Sequence, residues 1–506
     1  MKKCLKGILG ILLALTLVTG TCTIAFADGT PAPAAEPCTC GDDPTVFVNG
    51  IGETFYTDST MEQPVIPADA GTYIKAILPR LGSFLFGAIF KKYDKCGDAL
   101  IAIANDLIGG TGCDKDGNVP EGQCVDWEYS TSFENHGRER DYNFSYDYRL
   151  SPIDIAADLE DYIDYICAQT GHTKVKLVGF SMGSAVTLAY LSTYGTEKVS
   201  GVCLLAGCHI GTTCCGEPFC LKMLYEPYSA IRYFNDLMYG QSNAVTVSSL
   251  FGILYKIGLL DRVGNTLMAI IDSQGSRVYD ECIRGTFAAT PGMFALIPAD
   301  LYDEAVNNIF GSCRDEYAGL ISKLDAYHEM QVNAENIYKD IVAKGINFGV
   351  VSKYGFQLFP FMDHGANNSD GVIDAKFTSL GATVADTGTT LTDAQKALTD
   401  KEGKSCVSPD NIVNAATCLF PQYTWFVRNL PHSTNPSSLD DITRYILYSE
   451  TQPTVNDNAD YPQFMLYEPD SGDIVPLTAD NIPEEYDASA YSFFDFFTMF
   501  FKSLFA

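Results

Sequence analysis

The sequence predicts an α/β fold in which a mostly parallel central sheet is flanked by helices and interrupted by a large helical insertion. Between residues 152 and 206, short apolar runs typical of buried parallel strands alternate with segments whose apolar residues recur at helical spacing. This alternation stops near Gly207 and resumes at residues 346–351. Because parallel strands need long crossover connections, helices are expected on both faces of the sheet.

The N-terminal residues have the features of an export signal. Residues 1–27 combine lysines near the start, an apolar run at 8–18 and a small-x-small cleavage site at 25–27. The apolar run is too short to span a bilayer, so we predict cleavage after residue 27 and a secreted protein, with surface association as an alternative. Anchoring as a lipoprotein at Cys22 is less favoured, because the preceding residues form a poor lipobox.

The individual elements follow from local patterns. Apolar or β-branched runs bounded by turn residues predict strands at 45–48, 143–148, 175–180, 199–206, 346–351 and 424–427. Helical spacing of apolar residues predicts helices at 70–108, 153–166, 183–191 and 439–448. A hairpin is expected over 462–477, around the turn residues Asp470-Ser471-Gly472.

These elements divide the chain into seven parts. They are a signal peptide at 1–27, a linker at 28–44, a core formed by 45–208 and 345–450, a helical cap or lid at 209–344, a C-terminal extension at 451–487 and an aromatic amphipathic tail at 488–506. Within the cap, eight apolar residues from Leu250 to Ile270 recur at helical spacing and form one stripe. In the tail, residues 491–506 are too short to cross a bilayer, and both packing on the core and contact with a membrane or lipid interface remain open.

The acidic composition of the chain limits the kinds of partner that it can bind. The formal net charge of −30 argues against nucleic acid, which requires basic patches, and against electrostatic docking on anionic lipid. No metal and no cofactor are predicted. Asp114-Lys115-Asp116-Gly117 offers oxygen ligands for calcium, but its glycine comes too early for an EF-hand loop.

Cysteine usage fits export, which permits disulfides. The chain has 17 cysteines. The expected disulfide partners are Cys38 with Cys40, Cys113 with Cys124, and members of the group Cys208, Cys214, Cys215 and Cys220. Cys167 and Cys203 lie in apolar stretches and are expected to be core residues.

The segment Gly179-Phe180-Ser181-Met182-Gly183 predicts a nucleophile. It follows an apolar strand and opens an apolar helix. A sharp strand-to-helix turn exposes the serine hydroxyl and requires very small residues two positions before and after it, which Gly179 and Gly183 supply. We therefore assign Ser181 as the nucleophile, with an ordinary serine in a βα turn as the alternative.

A general base and an acid are expected after the serine, in the order Ser, Asp or Glu, His. His432 lies just past the strand predicted at 424–427, and the other five histidines precede Ser181, lie in or beside the cap, or precede the best acid. That acid is Asp370, which lies in a turn with Gly371 after the resumed strand and would orient the imidazole. Asp363 and Asp374 are the rival acids.

The oxyanion requires backbone donors at the ends of adjacent strands. The N–H of Met182 follows the nucleophile directly. The second donor is expected in the loop after the first core strand, Asn49-Gly50-Ile51-Gly52, and we assign it to the N–H of Ile51. A glycine turn without a ligand is the alternative for this loop.

Four stretches resemble the α/β-hydrolase superfamily of lipases and esterases. Residues 46–52 resemble its oxyanion loop, with Asn49 replacing the usual histidine, and residues 179–183 resemble its nucleophile turn. Residues 144–152 are similar to a Tyr-Asp-Trp-Arg segment of the lecithin:cholesterol acyltransferase-like branch, with Tyr148 replacing the tryptophan, and residues 369–373 resemble the acid turn. The resemblance covers about 45–208 and 345–450 and implies an eight-stranded sheet, no cofactor, and ester chemistry through an acyl-enzyme.

The predicted function is therefore a secreted lipase or carboxylesterase acting on a small-molecule or lipid ester through Ser181, Asp370 and His432. An acyltransferase would keep the same site and change the acceptor. A peptidase, and a catalytically silent protein that binds lipid or a surface, are further alternatives because fold alone does not determine substrate.

Overall fold

The computed structural model describes residues 37–67, 70–126, 141–236, 239 and 244–484. The expected signal peptide at 1–27, most of the linker at 28–44, and the aromatic tail at 488–506 lie outside the described residues.

An eight-stranded sheet forms the centre of the molecule, in the order β14-β13-β12-β7-β6-β5-β1-β4. Every neighbouring pair is parallel except β13 and β14. The strands of this sheet are β1 Thr45–Val48, β4 Asp141–Phe144, β5 Val175–Phe180, β6 Val199–Leu205, β7 Asn347–Tyr354, β12 Thr424–Arg428, β13 Phe464–Glu468 and β14 Asp473–Pro476. The prediction of a mostly parallel sheet flanked by helices is confirmed.

Six short strands form three separate pairs. They are β2 Phe55–Tyr56 with β3 Cys124–Val125, β8 Phe356–Gln357 with β9 Asn368–Ser369, and β10 Thr383–Val384 with β11 Val413–Asn414. The helices are α1 Ala70–Phe90, α2 Tyr93–Ile108, α3 Pro152–Thr170, α4 Gly183–Tyr194, α5 Thr213–Phe219, α6 Pro227–Asp236, α7 Ala244–Lys256, α8 Leu259–Glu281, α9 Pro291–Phe294, α10 Tyr302–Phe310, α11 Ala318–Val332, α12 Ala334–Ala343, α13 Ala375–Thr378, α14 Asp393–Lys396 and α15 Ser437–Tyr448.

Alternate residues of the strands face two different layers of helices. On one face, Leu177 of β5 and Val350 of β7 join a buried cluster with α3, α4 and α12. On the other face, the neighbouring residues Val178 and Val351 join a cluster with α15. Both faces are covered, which explains why these strands are mostly apolar.

The sheet departs from the predicted boundaries in two places. The strand predicted at 143–148 ends at Phe144, because the chain turns where the buried Asp147 carboxylate accepts hydrogen bonds from the backbone and side chain of Arg149. The sheet also continues past residue 450, the predicted end of the core. The predicted hairpin is present as β13 and β14, and β13 adds to the sheet beside β12.

Between β6 and β7, the described residues form only helices and turns. α9, α10 and α11 bury a cluster of their own that includes Phe294 and Phe310. The apolar stripe predicted within this region is only partly buried. Ile253 and Ile270 are buried, whereas Ile257 and Val263 are exposed. The stripe therefore does not serve only as core packing.

Helix α1 carries a largely exposed apolar surface. Leu78 is 54% exposed and Ile89 is 71% exposed, and Phe86 and Phe90 are also exposed. By length and composition alone, residues 71–90 are apolar enough to cross a membrane. The helix predicted over 70–108 is in fact two helices, α1 and α2, with a break at Lys91, which has a left-handed φ of 54°.

Candidate active site

Ser181 lies in a strained turn between β5 and α4. Its φ is 52°, in the left-handed region that residues with a side chain rarely adopt, and its N–H donates to Leu205 O at 3.1 Å. A Cβ on Gly183 would lie 2.0 Å from Val48 O, and one on Gly179 would lie 2.7 Å from Thr187 Oγ1. The packing around the turn therefore excludes side chains at both glycines.

The structure brings the three predicted polar residues together. His432 Nε2 lies 2.9 Å from Ser181 Oγ, and His432 Nδ1 lies 2.7 Å from Asp370 Oδ2. All three residues are buried. With Nδ1–H donated to the carboxylate, Nε2 presents a lone pair to the serine hydroxyl, so the imidazole can accept the hydroxyl proton.

Backbone hydrogen bonds position the side chains of Asp370 and His432. Asp370 Oδ1 accepts the N–H groups of Val372 and Ile373, which fixes its other oxygen toward His432. The N–H of His432 donates to Asp370 O at 2.9 Å. Gly371, with φ of 97°, allows the tight turn after the acid.

The rival acids have other partners. Asp374 accepts hydrogen bonds from Thr212, Thr213 and Asn367, and it thereby anchors the start of α5. Asp363 is exposed and lies 4.0 Å from the ring of His364. Neither carboxylate forms a hydrogen bond with His432 in the described part of the chain.

The predicted oxyanion loop packs directly on the serine. A Cβ on Gly50 would lie 2.8 Å from Ser181 Cβ. Asn49 secures the loop, since its Nδ2 donates to Ser145 Oγ and its carbonyl accepts the hydroxyl of Tyr146. Among the described residues, the N–H groups of Ile51 and Met182 donate to no protein acceptor. Both amides therefore remain candidates for the predicted oxyanion contact.

Lys353 is a buried residue of this site that the sequence analysis missed. Its ammonium donates to the carbonyls of Pro431, His432 and Thr434 and to Asn435 Oδ1, at 2.8–3.3 Å. Burial lowers the pKa of Lys353 to about 7, while the nearby Asp370 carboxylate acts to raise it. A lysine near the carboxyl end of β7, shortly after its apolar run at 348–351, was the available signal in the sequence.

Two further buried groups adjoin the serine and its loop. Burial raises the pKa of Glu53 to about 7, although hydrogen bonds from backbone N–H groups act to lower it. Burial also raises the pKa of the Cys208 thiol, while the Ser181 side chain acts to lower it, and the N–H of Cys208 donates to Ser181 O at 3.3 Å. Cys208 was expected to belong to a disulfide group, but its thiol lies in the core beside Ser181.

The other disulfide expectations also differ from the structure, which joins none of the described cysteines in a disulfide. The thiols of Cys113 and Cys124 contact different backbone carbonyls, those of Arg149 and Asp58. Each thiol therefore has a separate polar partner instead of the other sulfur.

Residues 129–219 match the family model described as the alpha/beta hydrolase fold. This segment includes β5, Ser181, α4 and β6, but it includes neither Asp370 nor His432. Together with the eight-stranded sheet, the match identifies the fold as that of α/β hydrolases, and this fold suggests a hydrolase. No curated protein matches the chain.

Proposed function

We propose that the protein is a secreted serine hydrolase that cleaves carboxylic esters, a lipase or carboxylesterase. The observation that carries the proposal is the hydrogen-bonded relay in which His432 lies between Ser181 and Asp370. This arrangement activates a hydroxyl that is otherwise a weak nucleophile.

The proposed reaction uses these residues in turn. Ser181 Oγ attacks the ester carbonyl while His432 Nε2 accepts its proton, and Asp370 offsets the charge of the resulting imidazolium. The amides of Ile51 and Met182 donate to the oxyanion. His432 then protonates the leaving alcohol, which leaves the acyl group on Ser181. A water molecule, deprotonated by the same imidazole, attacks this acyl-enzyme, and the imidazolium returns the proton to Ser181 Oγ as the acid departs.

Exposed apolar surface supports an acyl substrate with lipid character. Side chains of α1, including Leu78 and Ile89, are exposed, as are Ile257 and Val263 of the helical insertion. Exposed apolar side chains that lie together, as Phe86 and Phe90 of α1 do, are typical of surfaces that bind lipid or another apolar partner. We therefore expect activity to extend to esters of long acyl chains.

The first experiment tests the nucleophile. A fluorophosphonate probe should label the unaltered chain and Ser192→Ala, which changes an exposed serine of α4, but it should not label Ser181→Ala. Labelling that survives Ser181→Ala would refute the proposal.

The second experiment tests the acid and the substrate. Asp370→Asn should lower kcat for p-nitrophenyl esters by roughly 10⁴-fold because the imidazole loses its orienting carboxylate. Asp363→Asn, at an exposed carboxylate, should leave kcat unchanged. An ester series from acetate to palmitate then measures the acyl-chain preference, and inactivity on the whole series would contradict ester hydrolysis.

An acyltransferase is the second candidate, favoured by the burial of Ser181 and His432. A site shielded from bulk water allows an alcohol to compete for the acyl-enzyme. Product analysis with a lipid acyl donor, with and without a glycerol or sterol acceptor, separates the two reactions. Release of free fatty acid unaffected by acceptor would exclude transfer.

A further inference from the structure

A cluster of cysteine and histidine side chains lies outside the candidate active site. The ligand atoms of Cys38, Cys40 and His172 all lie within 4.8 Å of one another, and Cys40 Sγ is 3.4 Å from His172 Nε2. The N–H of Cys38 donates to Gly171 O at 3.0 Å, and the N–H of Cys40 lies 3.4 Å from Cys38 Sγ. Three donor atoms from two separate parts of the chain therefore converge on one point.

The spacing of these atoms fits one tetrahedral zinc ion. Zinc binds sulfur at about 2.3 Å and imidazole nitrogen at about 2.0 Å, so a ligand sulfur and a ligand nitrogen lie roughly 3.5 Å apart. The observed distance of 3.4 Å between Cys40 Sγ and His172 Nε2 agrees with this value. Sulfur and imidazole ligands favour zinc over calcium or magnesium, which prefer oxygen.

The Asp43 carboxylate orients His172 through the ring nitrogen that does not face the sulfur atoms. His172 Nδ1 lies 3.1 Å from Asp43 Oδ1, so the Nδ1–H is donated to the carboxylate and Nε2 faces the sulfur atoms. Asp43 Oδ2 in turn lies 4.0 Å from the ammonium of the buried Lys176. A carboxylate on the second nitrogen of a histidine is the usual support for a zinc ligand, since it fixes the tautomer and the ring orientation.

We propose that Cys38, Cys40 and His172 bind a structural zinc ion and that Asp43 positions His172. Binding releases the two thiol protons, and the two thiolates neutralise the charge of Zn²⁺ while the imidazole remains neutral. In its simplest form, a water molecule supplies the fourth ligand of the tetrahedron.

The place of the site in the fold gives it a structural role. His172 precedes β5, whereas Ser181 directly follows the same strand. At about 3.3 Å per residue, the six residues of β5 hold the two sites roughly 20 Å apart, at opposite ends of the strand. The zinc ion would therefore tie the segment before β1 to the loop between α3 and β5 without contacting the ester.

The test measures metal bound to the mature chain. The chain is purified with a thiol reductant, equilibrated with Zn²⁺, passed through gel filtration, and its zinc content is determined by elemental mass spectrometry. We expect one tightly bound zinc ion per chain. Replacement by Co²⁺ should produce thiolate-to-cobalt charge-transfer absorption, which reports sulfur ligands directly.

Matched variants locate the ion. Cys40→Ser and His172→Gln should lose the bound zinc and the cobalt absorption. Cys124→Ser, at another partly exposed thiol, and His364→Gln, in a second group of possible ligands with Glu217 and Asp363, should retain both. Asp43→Asn should weaken zinc binding by roughly 10-fold to 100-fold.

Chelation keeps the proposal testable if a variant fails to fold. Removing zinc from the unaltered chain should lower Tm while fluorophosphonate labelling of Ser181 persists. Three results would overturn the site: folded, unaltered chain without tightly bound zinc, zinc retained by Cys40→Ser, or a Cys38–Cys40 disulfide in chain secreted in the presence of zinc. Metal content does not depend on ester hydrolysis, so failure here is distinguishable from failure of the proposed function.

Discussion

Gly50 and Gly52 occupy the same short loop but meet different surroundings. A side chain at position 50 would point into Ser181, with its Cβ 2.8 Å from Ser181 Cβ and 3.2 Å from Oγ. At position 52 a Cβ would meet no atom within 4 Å. Comparing alanine at position 50 with alanine at position 52 therefore separates the steric effect on Ser181 from the effect of a less flexible loop.

Gly50→Ala should lower kcat/KM for ester hydrolysis by roughly 100-fold or more, because the new methyl group displaces the serine or the oxyanion loop. Gly52→Ala should stay within about 2-fold of the unaltered chain. Steady-state kinetics on a p-nitrophenyl ester checks both variants, and circular dichroism verifies their folds. Equal activity of the two variants would contradict the packing of the loop on Ser181.

Glu53 should make the stability of the fold depend on pH. Burial raises its pKa from 4.5 to about 7 in the folded chain. Between these values the folded chain keeps a proton that the unfolded chain has lost, so the contribution of Glu53 to stability falls as pH rises from about 4.5 to 7. A shift of this size corresponds to about 3 kcal/mol.

Glu53→Gln removes this ionisable group. The free energy of unfolding of the variant minus that of the unaltered chain should therefore be about 2 kcal/mol larger at pH 8 than at pH 5. Denaturant unfolding at the two pH values measures this difference. Glu62→Gln, at an exposed glutamate, should show no such dependence. The same change at both pH values for Glu53→Gln would mean that Glu53 ionises normally.

At the scale of elements, β7 and the loop after β12 are joined by one side chain. Lys353 extends from β7 and donates to three carbonyls and one side-chain oxygen of residues 431–435. Its ammonium interacts with the acid as well, since the Asp370 carboxylate acts to raise the pKa of Lys353. In the proposed reaction, Lys353 is a positioning residue, because it holds the loop of His432.

Lys353→Met should lower kcat by roughly 10-fold to 100-fold with little change in KM, because the imidazole loses its alignment while substrate contacts remain. Lys176→Met removes another buried lysine, at the amino end of β5, and should lower Tm without lowering kcat. Kinetics and thermal unfolding of both variants separate positioning from stability. A proportional rise in KM for Lys353→Met would contradict the positioning role.

At the scale of the whole molecule, the formal net charge of −30 sets the field that an approaching substrate meets. A field of one sign attracts ligands of the opposite charge and repels those of the same charge, and salt screens both effects. If the protein is the proposed ester hydrolase, the charge should therefore change the rate at which charged esters encounter it.

The value of kcat/KM should fall by several fold for a cationic choline ester as salt rises from about 10 to 300 mM, and it should rise for an anionic ester of the same acyl group. A neutral ester serves as the control and should change little. Initial rates at low substrate concentration give the measurement. Parallel trends for the cationic and anionic esters would show that the net charge does not act on the encounter.

Predictions from sequence succeeded where the physical demand is local. The turn at Ser181 needs glycines within two residues on each side, so its pattern is visible in five consecutive residues. Strands covered on both faces are mostly apolar, which made β5, β6 and β7 recognisable. Asp370 and His432 were assigned by their order along the chain, and the structure places them in contact with each other and His432 with Ser181.

Features that depend on distant partners were not predictable in this way. Lys353 contacts a loop about 80 residues further along the chain, and no pattern in the residues around Lys353 indicates this contact. The thiols of the expected disulfide partners Cys113 and Cys124 contact different backbone carbonyls, which only the folded chain brings to them. The exposure of Ile257 likewise depends on which helices cover the stripe.

The amino-acid sequence by itself determined the α/β class of the fold and the strained serine turn, because periodicity and steric demand act over a few neighbouring residues. Only the tertiary structure decided which acid meets His432, which lysine holds its loop, and that Cys38 and Cys40 face His172. These contacts join atoms far apart in the chain, so their geometry depends on the order in which the sheet places its strands side by side.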